Sequence, residues 1–452
     1  MSVTMERARG PAVIAAIGLV IVSCLVFVVG MLSGRGLDDV AGGLLVAVAI
    51  VVVTVPLLAR QAKRENDKRI FRLLMWALVL RFAGALARSF VALQVYGGVS
   101  DAIAYHDTGV QLAERFRSGV FDTGLTPLTA TNFMKVVTGI VYSVIGPTKL
   151  GGYFFFAWLA FIGSFLFYRA FVTALPEGQR RLYAALIFFL PSLIFWPSSI
   201  GKEAWLVFTL GVAAFGASSI FTGRVLRGIV IGATGVWLAV YVRPHVAGIL
   251  AISALVAVLV ARSKRKATGL SVLQRGVVLA LLVFVALFLV KQTDDFLRTS
   301  TSGRAADFTS TLKEVRRRTT GGGSSFSPAV LDSPQRAPVA FITVLFRPLV
   351  VDAHNAQALI SGLEGTLLLF LTVWRAPRLW AAVRTARRHA YVVMCLVFTG
   401  LFVVAFSSVA NFGLLARERV MLLPFFFVLL TAAPKITPAD QRDHAATTGG
   451  TA

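Results

Sequence analysis

Long apolar runs alternate with short polar breaks along most of the chain. The runs cover 11–32, 40–59, 73–95, 150–172, 183–197, 203–221, 228–242, 246–261, 276–290, 356–374, 390–410 and 420–433. A helix rises ~1.5 Å per residue, so about 20 apolar residues cross a hydrocarbon core of ~30 Å. The pattern predicts an all-α fold, a polytopic transmembrane helical bundle of about twelve spans. Several runs are shorter than that and need neighbouring helices or a locally thin bilayer. Two further apolar stretches, 133–146 and 339–351, lie inside longer polar segments. Gly146-Pro147 and Arg347-Pro348 punctuate them, which predicts surface or re-entrant helices rather than crossings. The first run is too long for a signal-peptide core, and Met31-Leu32-Ser33-Gly34 is a poor cleavage site, so it reads as a retained span.

The polar breaks orient the bundle. Residues 60–72 (RQAKRENDKRIFR), 262–266 (RSKRK), 375–388, Arg180-Arg181 and Arg224 with Arg227 all carry clustered positive charge. Twelve spans with a cytoplasmic N-terminus put every one of them on the cytoplasmic side, as the positive-inside rule requires. The segments 96–149, 197–202, 291–355 and 411–419 then face outward. This gives an organisation of five parts. An N-terminal hairpin and basic loop covers 1–72, and a transmembrane core covers 73–290 with its first outer loop at 96–149. An outer loop with a surface helix covers 291–355, C-terminal spans cover 356–436, and a polar cytoplasmic tail covers 437–452. The 291–338 part of the outer loop, rich in Ser, Thr and Gly, reads as a lid or linker.

Composition changes this picture little. Of 452 residues 57% are hydrophobic and 15% charged, and the formal net charge is +24. On a soluble chain that charge would point to nucleic acid; here topology accounts for it, and the partner it implies is the lipid bilayer. Cys24 and Cys395 both lie in apolar runs, which excludes a disulfide framework or a zinc cluster.

Polar residues stand out where they interrupt the outer ends of the runs. Asp101-Ala-Ile-Ala-Tyr105-His106-Asp107 opens a helix whose Leu112, Phe116 and Val120 recur at helical spacing. Asp101 there is either an N-cap or a carboxylate aimed at a reacting hydroxyl. Lys202-Glu203 marks a junction between two runs with almost no loop, a costly place for charge unless it is paired or solvated. Arg243-Pro244-His245 breaks the stretch 228–261 at its middle, placing a cation at a hairpin tip. Arg347, Asp352, His354 and the turn Asn411–Arg419, with Arg417, follow on the same side. Of five histidines, His106, His245 and His354 fall in these segments. Carboxylates and cations mixed in this way suit transfer from a lipid phosphate: cations neutralise the leaving group, and a carboxylate takes the proton of the attacking hydroxyl. Within the spans, Arg81 and Arg88 are the conspicuous ionisable residues, and Arg88 lies near the outer end of its run.

These residues resemble the GT-C class of membrane glycosyltransferases, which includes protein O-mannosyltransferases and aminoarabinose transferases. That class carries D-x-x-x-Y and an amphipathic helix in its first large outer loop, as Asp101 and Tyr105 do here, with Leu112 and Ala113 on the helix. Gly146, Arg180-Arg181, Glu203 and Arg243-Pro244 match later features, over about residues 73–261. Ala102 stands where a second acidic residue is frequent, a place Asp107 could fill. The resemblance implies an inverting glycosyltransferase that moves a sugar from a polyprenyl-phosphate donor to a glycan, lipid or protein acceptor of the cell envelope. It would act on the outer face of a plasma membrane, bacterial by this resemblance, with both termini cytoplasmic. Asp101, Asp107 and Glu203 would be the catalytic carboxylates. Tyr105, His106, Lys202, Arg243, His245, Arg347, His354 and Arg417 would bind substrate. No cofactor is required outright, and a divalent metal ion is compatible. Two other readings stand beside it: a polysaccharide polymerase or ligase acting on undecaprenyl-diphosphate glycans, and a transporter or flippase, against which the absence of an inverted repeat counts.

Overall fold

Leu37–Glu65 (α1) and Lys68–Phe90 (α2) show how local sequence sets the architecture. Asn66 takes a left-handed conformation (φ 49°) and closes α1, while the Asp67 side chain accepts a hydrogen bond from the Arg69 N–H at 2.9 Å and opens α2. Two residues thus fold the chain into an antiparallel helical hairpin. A computed structural model describes residues 36–261, 334–353 and 356–432, with parts of 276–287 and 316–328 and a few positions before 36. Most of the predicted span 11–32, part of 276–290, much of the 291–338 loop, His354 and the tail 437–452 lie outside the described residues.

The helices continue as Asp101–Arg117 (α3), Ala130–Ile145 (α4), Lys149–Ala174 (α5), Arg180–Phe189 (α6), Pro191–Phe195 (α7), Lys202–Phe221 (α8), Val225–Val240 (α9) and Pro244–Val260 (α10). After the next described stretch come Ala337–Phe346 (α11), Ala356–Trp374 (α12), Ala376–Thr385 (α13), Ala390–Phe406 (α14), Phe412–Arg419 (α15) and Leu423–Thr431 (α16). Among the described residues there is no strand, only an isolated antiparallel bridge between Ser325 and Asn411.

The all-helical class agrees with the sequence; among the described residues, fewer than twelve helices are long and apolar enough to count as crossings. Among the described residues five helices are long and apolar enough to cross a membrane: Leu37–Glu65, Arg69–Val95, Lys149–Ala174, Lys202–Phe221 and Gln357–Trp374. A sixth arises if the pair Ala376–Arg388 and Ala390–Phe406, bent by 120°, counts as one. For the described runs the difference is one of length. The runs 228–242 and 246–261 form helices of 16 and 17 residues, about 24–26 Å long against a core of ~30 Å. The run 183–197 is two short helices, because Pro191 lacks an N–H and holds Leu190 extended. The stretches 133–146 and 339–351 do form short helices, α4 and α11, each ended by the Gly146 or Arg347 that punctuates the sequence.

The core of the bundle is a contact between glycines. An added Cβ on Gly163 of α5 would collide with the Val207 carbonyl of α8, and one on Gly211 of α8 with the backbone of Gly163. Small residues at such positions let backbones approach, which is how helices associate where lipid removes the hydrophobic drive. The segments expected as separate parts share this core. Trp158 of α5 donates to the Thr54 hydroxyl of α1 at 2.9 Å, and the C-terminal helix α14 packs along α10. On the outside, Leu363, Leu367, Phe370 and Trp374 form an exposed apolar stripe along one face of α12, a surface suited to lipid.

The polar ends of the bundle are distinct. At one, Arg180 and Arg181 pair with Glu65 (3.7 Å) and Asp67 (3.2 Å), and Arg169 faces Arg64, Arg224 and Arg227. Three of the basic breaks read from the sequence therefore gather at one end. The segments 96–149, 197–202, 241–245 and 411–419 come together at the other.

Candidate functional site

The opposite end holds a connected set of charges drawn from four separated segments. Its centre is Glu203, in the first turn of α8 and 5% exposed at the side chain. Arg417 of α15 donates from Nε to Glu203 Oε1 at 2.6 Å, and from Nη2 to Asp101 Oδ2 at 3.3 Å. Arg243, on the residue before Pro244 where α10 starts, has Nη2 3.7 Å from Glu203 Oε1 and donates to Glu418 Oε1 at 2.6 Å. Lys202 donates to the Thr131 hydroxyl at 3.0 Å and lies within electrostatic reach of Asp101, Glu203, Arg243 and Arg417.

The two principal carboxylates are placed very differently. The Asp101 side chain is 60% exposed, whereas that of Glu203 is 5% exposed and lies between two guanidiniums. Asp101 is also not the N-cap. Ser100 holds that position with extended backbone, and Asp101 is the first helical residue, its carboxylate drawn to Arg417. Burial works against the charge on Arg417, but Glu203 and Asp101 outweigh it and hold the guanidinium above its ordinary range. Burial brings Arg243 down to about 10, with Glu203 opposing, so it stays charged at neutral pH. Burial, and then the negative charge of Asp101, push the Tyr105 phenol up, so it remains a neutral hydroxyl.

The structure thus brings together Asp101, Tyr105, Lys202, Glu203, Arg243 and Arg417. It places the other expected residues elsewhere. His106 turns into the α3–α4 interface, its Nδ1 2.8 Å from the Tyr142 hydroxyl. Asp107 is exposed, and none of the described ion pairs of the cluster includes it. His245 lies against Phe406, with ring centroids 6.0 Å apart. Arg347 is clasped by Asp352 through two hydrogen bonds, at 3.0 and 2.6 Å, and lies over the rings of Phe326 and Phe412. It meets the α15 helix through Phe412 and through Arg419, which donates to the backbone carbonyls of Leu345 and Arg347.

One residue joins the site that sequence reasoning did not place there, and Arg88, which its place near the outer end of its run makes a candidate for the donor site, joins as well. Glu418 is the main partner of Arg243. Arg88, near the end of α2, carries its guanidinium 4.9 Å from the Phe195 ring centre and 5.1 Å from that of Trp196, within electrostatic reach of Glu203 and Arg417. No group of three or more His, Cys, Asp or Glu side chains suited to hold a metal ion occurs among the described residues. What the arrangement can do is bind an anion beside an exposed carboxylate. Comparison with family models, curated proteins and solved structures gives no match for this chain.

Proposed function

We propose that this chain is a membrane glycosyltransferase that uses a polyprenyl-phosphate sugar at the Asp101 end of the bundle. The observation that carries the reading is an exposed carboxylate, Asp101, paired with Arg417 in a cluster that also gathers Lys202 and Arg243 from separate segments. In the proposed reaction the acceptor hydroxyl attacks the anomeric carbon as its bond to the phosphate oxygen breaks, inverting the configuration. Asp101 takes the hydroxyl proton, and the cations neutralise the departing lipid phosphate. Glu203, buried between arginines, holds those arginines in place rather than acting as base. The same reading has the protein in a plasma membrane, crossed about twelve times, with the basic end cytoplasmic and the site outside. The abundance of cations also favours the second reading, a polymerase or ligase acting on lipid-diphosphate glycans, and donor choice separates the two.

The test is the pair Asp101→Asn and Asp101→Ala, assayed for sugar transfer from a labelled lipid donor in detergent, with melting temperature alongside. A catalytic carboxylate makes both variants inactive while the fold persists, because an amide cannot take the proton. Activity in Asp101→Asn would remove the role.

A further inference from the structure

Arg81, Gly84 and Arg88 recur at helical spacing on one face of α2, and that face meets the broken segment 190–198. Arg81 donates to the Leu193 carbonyl and, at 3.1 Å, to the Ser164 hydroxyl. At Gly84 an added Cβ would sit 2.8 Å from the Ile194 carbonyl oxygen, so only glycine permits this approach. Arg88, one turn on, is laid over Phe195 and Trp196. Directly after it the helix widens into a π-helical turn, Val91–Val95, an irregularity frequent at functional sites.

The contrast along this face is in hydrogen bonding. Arg81 is bonded to its surroundings, whereas Nε and Nη1 of Arg88 are buried with no hydrogen-bond partner among the described residues. An unsatisfied buried donor of a charged group is costly, and an arginine within a span is a functional candidate. The aromatic pair holds the guanidinium plane by cation–π attraction yet offers no acceptor. Around it, the cations Arg88, Lys202, Arg243 and Arg417 outnumber the carboxylates Asp101, Glu203 and Glu418 among the described residues. Among the described residues each of the other three cations has a hydrogen-bond acceptor, whereas Nε and Nη1 of Arg88 face only rings.

We infer that Arg88 is the anion receptor of this end of the bundle, its free N–H groups taking a phosphate oxygen of a lipid-linked phosphate. This deepens the reading above and rests on it for the lipid. A planar fork fixed on two rings is suited to bidentate phosphate binding. Arg88 touches the ligand, and Phe195 and Trp196 act through it as positioning residues.

The experiment is equilibrium binding to the purified full chain in phosphate-free detergent buffer. Farnesyl phosphate is the probe, farnesol its uncharged control and inorganic phosphate the free anion. The wild type binds farnesyl phosphate and not farnesol. Arg88→Gln weakens that binding about tenfold or more, the loss of a charge-assisted hydrogen bond, and Arg88→Lys weakens it less. Inorganic phosphate binding as tightly, with the same dependence on Arg88, supports the anion site and assigns its ligand to water rather than lipid. Unchanged affinity in Arg88→Gln, or farnesol binding as well as its phosphate, overturns the inference. Should Arg88→Gln fail to fold, unchanged affinity in Arg88→Lys overturns it and a several-fold loss supports it. Binding that depends on Arg88 in a protein that transfers no sugar would retire the transferase reading alone. Transfer by Arg88→Gln with unaltered KM would retire this inference alone.

Discussion

At the scale of single residues, burial separates carboxylates that the sequence presents as equals. Glu203 is buried between Arg417 and Arg243, so Glu203→Ala takes the buried partner from Arg417, leaves it the exposed Asp101 alone, and should cost about 3–5 kcal/mol. The exposed pair of Asp101 with Arg417 should contribute no more than about 1 kcal/mol. Thermal unfolding of the two alanine variants in one detergent checks the difference; equal losses would contradict the burial argument. The same distinction explains what could be read from the sequence. Asp101, Lys202, Glu203, Arg243 and Arg417 each interrupt an apolar run, and a charge there draws notice on its own. Glu418 stood in plain view within Arg417-Glu418-Arg419, yet its partner Arg243 is 175 positions away and nothing local announces the pair. His106 shows the reverse. Next to Tyr105 in sequence, it is turned by about 100° of helix into contact with Tyr142.

At the scale of elements, close backbone approach rather than side-chain volume decides where the helices lie. Gly163→Leu must separate α5 from α8, because the added atoms meet the Val207 carbonyl rather than a mobile side chain. A loss of about 1–3 kcal/mol is expected, the usual cost of overpacking. Gly97→Ala is a poor control because its φ is positive, whereas Gly36→Ala meets nothing and should leave the melting temperature unchanged. Measured melting shifts of similar size for Gly163→Leu and Gly36→Ala would show that the contact does not bear on stability. Apolar runs in the sequence located nearly every described helix, because their length and period are local properties. The break at Leu190-Pro191 was not read, since a continuous apolar run looks the same straight or folded, whereas the bend between Arg388 and Ala390 falls where the basic break 375–388 ends.

At the scale of the molecule, the charges define two ends, and the proposed orientation follows from them. Lys63 and Asp122 are exposed, at opposite ends of the bundle. In a background with Cys24 and Cys395 replaced by Ser, Asp122→Cys should react with an impermeant thiol reagent on intact cells. Lys63→Cys should react only after permeabilisation. The opposite pattern would invert the membrane and move the site to the cytoplasm. The count of crossings was the least legible property. Runs of 15 or 16 apolar residues are too short to declare themselves, and helices of 16 and 17 residues carry the same ambiguity into three dimensions.

Three consecutive residues of α15 face three directions: Arg417 to Glu203 and Asp101, Glu418 to Arg243, and Arg419 to the backbone of Leu345 and Arg347. This has a consequence in time. Ribosomes deliver a chain from its N-terminal side, so Glu203 and Arg243 enter the nascent bundle when residue 417 is still unmade. Until the last hairpin emerges, those two charges have each other at 3.7 Å and lack their stronger partners. The site is therefore completed late in biosynthesis, after the glycine core. A ribosome that stalls before residue 417 leaves a bundle with its glycine core in place and its charges unsatisfied, a species that quality-control proteases in a membrane are suited to remove.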